Sequence, residues 1–138
     1  MKDVIISIKG SQPDSGEESS YELITDGTYS YAPDRCEFTY MESELTGLEG
    51  TRTTFCIDPE KVTLTREGSF NAQMIFQRGK KHLFLYETPY GAATMGVNTR
   101  KIRTGLTEHG GDIELSYVVD VDNVALGRND FTIHIREA

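Results

Sequence analysis

From Ile113 to Val121 every second residue is apolar, with Ile113, Leu115, Tyr117, Val119 and Val121 set against Asp112, Glu114, Ser116 and Asp120. A period of two is the period of a strand, and a strand needs such alternation only when one face meets a core and the other meets water. The last stretch of the chain matches it: Phe131, Ile133 and Ile135 share one parity, and Thr132, His134 and Arg136 the other. Antiparallel pairing of the two stretches sets a basic outer face against an acidic one, worth about 0.2–1 kcal/mol for each opposed pair.

The same reading extends backwards along the chain. Residues 2–9 are rich in β-branched side chains and read as a first strand, followed by a polar loop over residues 11–20 with a mobile tip. Asp26-Gly27 is a strong hairpin signal in isolation, but a two-residue turn there would set Leu23 opposite Ser30. One continuous strand instead puts Tyr21, Leu23, Tyr29 and Tyr31 on a single face, kinked at Gly27, and moves the turn to residues 32–35. Phe38, Tyr40 and Glu42 share the next inner face, and Thr51, Thr53, Phe55 and Ile57 the one after; Val62 and Leu64 define a further strand. Residues 73–78 and 82–87 read as a hairpin around Gly79-Lys80, with Met74 and Phe76 on one face. Pro89 forces a turn whose type stays open, and Gly96 marks a bulge, a bend or a close backbone approach in the strand beyond it.

Nine or ten strands with frequent turn signals and no helix of ten residues predict an all-β fold, a single antiparallel domain over residues 1–138. The succession of hairpins favours an up-and-down β-barrel, which also removes exposed sheet edges. A chain of 138 residues buries roughly two thirds of its unfolded surface without needing disulfides. Cys36 and Cys56 lack metal-type spacing and read as reduced thiols of a cytoplasmic protein. Near the start, Val4-Ile5-Ile6 is interrupted by Ser7, too short for a secretion signal or a membrane span. A net charge of −8 opposes general attraction to phosphate backbones and anionic lipid, so neither nucleic acid nor membrane is an expected partner.

Three segments together carry a family resemblance: residues 40–51 (YMESELTGLEGT), Tyr86-Glu87-Thr88-Pro89-Tyr90-Gly91 with Met95-Gly96, and Leu126-Gly127-Arg128-Asn129. They resemble the YwiB-like family over nearly the whole chain. The resemblance implies a bacterial, lipocalin-like (calycin) barrel of uncharacterised function, and it brings no catalytic residues with it.

Catalytic motifs are missing. His82, His109 and His134 stand apart, with no second ligand at His-x-His or His-x-x-x-His spacing. Asp120-Val121-Asp122-Asn123 opens like a calcium loop but has Ala125 and Phe131 where glycine and glutamate are required. There is no nucleophile elbow, phosphate loop or dinucleotide fingerprint, so no catalytic residue, metal or cofactor is expected. Tyr40-Met41-Glu42 before Gly47 and Tyr86-Glu87 before Gly91 echo each other, which would bring Tyr40, Glu42, Tyr86 and Glu87 to one barrel mouth. Tyr29, Tyr31 and Met95 add aromatic and soft surface suited to an apolar or amphipathic ligand. Arg103 shares parity with Ala93, Met95 and Val97 and would point inward, with Glu42 as partner, unless Gly96 resets the phase and leaves it solvated. The ligand-binding set is thus Tyr29, Tyr31, Tyr40, Glu42, Tyr86, Glu87, Met95 and Arg103. Two further readings stay open: a scaffold or interaction barrel with a filled core, including a homodimer, and an enzyme using Glu42 and Glu87 as acid and base.

Overall fold

A computed structural model describes residues 1–14, 17–43, 48–121 and 124–138, with the side chains of residues 12–14, 17–19 and 21 left undescribed. Every regular element among the described residues is a strand. In chain order they are β1 (Lys2–Asp14), β2 (Glu17–Ala32), β3 (Arg35–Met41), β4 (Thr51–Ile57), β5 (Val62–Gly68), β6 (Ala72–Phe76), β7 (Lys81–Thr88), β8 (Gly91–Thr107), β9 (Gly110–Val121) and β10 (Val124–Glu137). The strands bond in the order β6-β5-β4-β3-β2-β1-β10-β9-β8-β7, and every ladder is antiparallel. This is an up-and-down barrel of ten strands, in which the first and last strands pair with each other. Among the described residues no helix is long and apolar enough to cross a membrane.

Closure is incomplete at one place. β6 and β7 are joined by a short turn, but the hairpin ladder expected between them is missing apart from one bridge, Asn71 with Glu87, whose two backbone bonds are both 2.8 Å. That bridge has the register of a hairpin centred on Gly79. At the turn itself the backbone bonds elsewhere: Gly79 N–H donates to Thr99 O at 3.1 Å, and Thr99 N–H donates to Lys80 O. Bonding to β8 draws the turn away from a β6–β7 ladder, so the expected hairpin becomes the barrel's seam.

β2 runs through Asp26-Gly27 without turning, and the turn falls at Pro33-Asp34 as parity demands. A β-carbon on Gly27 would lie 2.5 Å from both Ile6 Cδ1 and Thr39 O, so glycine here permits close packing inside the barrel. The polar loop expected over residues 11–20 is instead ladder: Ser11 pairs with Ser20, Gln12 with Ser19, Pro13 with Glu18 and Asp14 with Glu17. Backbone pairing depends little on side-chain polarity. Pro13 lies beyond Ser11, where the β10 ladder ends, so its missing N–H costs no second bond. The mobile tip proposed for that loop falls on residues outside those described.

Pro89-Tyr90 closes a two-residue link between Thr88 and Gly91. Thr88 Oγ1 donates to Gly91 O at 3.0 Å and accepts from Tyr90 N–H at 3.1 Å. Lys81 Nζ and Asp120 Oδ2 meet at 2.8 Å across Gly96, whose missing β-carbon is the space they use. On the outer face of β9 and β10, His134 Nδ1 lies 2.6 Å from Asp112 Oδ1, one instance of the expected basic-against-acidic pairing. Cys36 points inward and Cys56 outward from neighbouring strands, and both are free thiols.

The core is unevenly distributed. Val4, Ile6, Tyr29, Phe38, Ile113 and Ile135 are essentially inaccessible and fill the end of the barrel near both termini. Phe38 stacks on Phe55 with ring centroids 4.8 Å apart.

Candidate functional site

At the other end, where β3, β5, β7 and β9 finish, the interior holds a cavity of about 600 Å³. Ten strands make a wider barrel than the eight that side chains can just fill. Its deeper wall is apolar, built from Phe55, Leu64, Met74, Phe76, Phe84 and Leu115. Polar groups stand nearer the rim: Tyr40 from β3 and Glu42 just beyond its end, Arg66 from β5, Tyr86 from β7 and Asn129 from β10.

Each rim group is positioned by the strand it ends. Glu42 follows Phe38 and Tyr40 in inward phase, and its backbone N–H donates to Thr51 O at 2.8 Å. Its carboxylate is buried and accepts from Thr53 Oγ1 at 2.7 Å. Thr51 Oγ1 in turn accepts from Phe70 N–H, tying the link after β5 to the start of β4. Phe70 lies against Tyr86, ring centroids 6.3 Å apart, which steadies Tyr86 beside the seam. Arg66 sits level with Thr53 on one side and Ala72 on the other. Both neighbours are short. Arg66 Nε is buried and has no hydrogen-bond partner among the described residues.

Of the residues singled out by sequence, Tyr40, Glu42, Tyr86 and Met95 line this one cavity. The other four lie elsewhere. Tyr29 belongs to the filled end, where its hydroxyl donates to Thr107 O at 2.7 Å and burial, with Cys36 beside it, raises the phenol's pKa. Tyr31 is exposed at the end of β2, one residue from the turn. Glu87 shares a strand with Tyr86 but has the opposite parity and points to solvent, meeting the seam only through its backbone. That separation also removes the Glu42–Glu87 carboxylate pair on which acid–base chemistry was considered.

Arg103 is a correction with a clear cause. Its side chain is 73% exposed and 4.0 Å from Glu114, not paired with Glu42. The register of β8 against β9 shifts between Thr99 and Lys101, so Arg100 is an extra residue that turns Arg103 outward. The phase resets there and not at Gly96. The inward arginine is Arg66, which the sequence reading missed although it continues the parity of Val62 and Leu64. Asn129 was also missed as a wall residue, although it continues the parity of Phe131, Ile133 and Ile135 with no register shift between them.

The family model described as a domain of unknown function (DUF1934) matches residues 6–133. The chain belongs to the DUF1934 family. In solved structures it is similar to the YwiB protein from Bacillus subtilis, at 20% identity over 99% of this chain and 92% of that one, with a TM-score of 0.88. The likeness shows a shared fold, in agreement with the resemblance read from the sequence. No curated protein matches the chain significantly. The three segments that carry the resemblance reach the same cavity in this DUF1934 chain, through Tyr40, Glu42 and Leu48, through Tyr86 and Met95, and through Asn129.

Proposed function

We propose that this protein is a binding module that takes one small apolar or amphipathic molecule into its barrel. The observation that carries this reading is the cavity of about 600 Å³, within the size range of small-molecule sites and walled mainly by apolar side chains with a few polar groups at the rim. Free thiols at Cys36 and Cys56 support a reducing, cytoplasmic setting. The neutral fluorophore N-phenyl-1-naphthylamine tests the reading directly. Saturable, one-to-one fluorescence enhancement is expected, together with its loss in Met74→Trp, which places an indole in the chamber. Absence of saturable binding by the wild-type protein would overturn it.

An interaction barrel, including a homodimer, keeps support from one feature. Leu83 and Leu85 stand exposed on the outer face of β7, the strand that borders the seam. Sedimentation of the wild-type protein and of Leu83→Ser with Leu85→Ser decides it: a dimer abolished by the double change supports this second reading, and a monomer throughout rejects it.

A further inference from the structure

Among the charged groups of the chamber, Glu42 has a donor in Thr53, whereas Arg66 presents a guanidinium whose buried Nε has no acceptor among the described residues. A buried donor left unpaired is costly, and the cost falls when an anion enters. Among the described residues Arg66 is the one cation lining the cavity. Its cross-strand neighbours, Thr53 and Ala72, are too short to cover it, so the space in front of the guanidinium belongs to the chamber.

We propose that the occupant is a singly charged carboxylate amphiphile, its head group on Arg66 and its hydrocarbon body along Phe55, Met74, Phe76 and Phe84. This rests on the lumen reading above and adds the head group to it. A carboxylate matches the planar fork of a guanidinium with two parallel bonds. One cation with Glu42 in the same chamber suits a single negative charge and disfavours a dianionic phosphate. The apolar side chains deeper in the wall, with the Tyr117 ring packed against Phe76, suit an unbranched chain or a flat ring system.

The experiment compares dodecanoate, 1-dodecanol and dodecyl phosphate as competitors of N-phenyl-1-naphthylamine, with wild-type protein, Arg66→Gln and Arg66→Lys. The wild type should bind dodecanoate at least about tenfold more tightly than dodecanol, the difference expected of a hydrogen bond to a charged group. Arg66→Gln should reduce that preference to about twofold or less, and Arg66→Lys should retain part of it. Equal affinity for dodecanoate and dodecanol in the wild type overturns the head-group assignment while the lumen reading stands. The same follows if dodecyl phosphate binds best, or if the preference survives in Arg66→Gln. Failure of the fluorophore itself to bind overturns both. The wild-type comparison needs no variant, so a poorly folded substitution does not shield the proposal.

Discussion

Gly27→Ala tests the packing argument at its tightest point. The added methyl would sit 2.5 Å from Ile6 Cδ1 and 2.5 Å from Thr39 O, well inside contact distance for both. Ile6 can rotate, but it is completely buried and has little room; the Thr39 carbonyl belongs to the β3 backbone and can move only with the strand. Overpacking of this kind costs about 1–3 kcal/mol, and the backbone clash places this case at the upper end, near 3 kcal/mol. Unfolding entropy of ~2.1 cal/mol/K per residue over this chain converts that to a fall in Tm of roughly 10 °C. Ile6→Val removes the Cδ1 methyl and by itself should cost about 0.5–1.5 kcal/mol. In the double variant half of the clash is gone, so the two losses should fall short of additivity. Thermal unfolding followed by circular dichroism measures all three. A Tm change under about 2 °C for Gly27→Ala, or strict additivity in the pair, would refute the reasoning.

Phe38→Ala removes a fully buried ring stacked on Phe55, and urea unfolding should show a loss of about 3–5 kcal/mol. Thr53→Val deletes the donor to the buried Glu42 carboxylate; the expected cost is about 1.5–3 kcal/mol, and Glu42→Gln in the same background should recover part of it. Arg103→Met should change stability by less than about 0.5 kcal/mol, because the side chain is solvated and its contact with Glu114 is long; a loss above 2 kcal/mol would restore the buried-pair idea. Glu137 has a pKa below its ordinary 4.5, chiefly through its hydrogen bond with His109 and then through Lys2. A lowered carboxylate stabilises the fold fully above the unfolded value, and that contribution disappears as pH falls through the lower folded value. Side-chain NMR titration should therefore give a Glu137 midpoint below 4.5 that rises in His109→Ala.

Where alternation is regular, the sequence was enough. β9 declares its inner face through Ile113, Leu115 and Tyr117, and β3 declares Glu42 as inward through Phe38 and Tyr40. Register shifts are where legibility ended. The extra residue at Arg100 is worth one step of parity, and nothing in Thr99-Arg100-Lys101 signals it, since a bulge there needs neither glycine nor proline. Every parity carried past that point inverts, which is why the solvated alternative holds for Arg103 and the inward one does not. The seam was hidden for a different reason. Side-chain pattern gives the register of a hairpin, and Asn71 with Glu87 keeps that register, but the choice of Gly79 and Thr99 as backbone partners is a long-range matter. Arg66 was legible and overlooked: a charged residue in phase with Val62 and Leu64 is an inward charge by the same rule that was applied to Arg103.

The chamber's size constrains what it holds. The chamber opens at its rim, so water reaches its mouth and meets the wall from there inward. The walls divide what could occupy it. Water is held by polar partners, which Glu42, Arg66, Tyr86 and Asn129 supply near the rim. Further in, Phe55, Met74, Phe76, Phe84 and Leu115 offer water nothing to bond, while each methylene laid against them is worth about 0.8 kcal/mol. Water at the rim and hydrocarbon below it is the partition of an amphiphile, and the orphaned Nε of Arg66 marks the level at which its charge would stop.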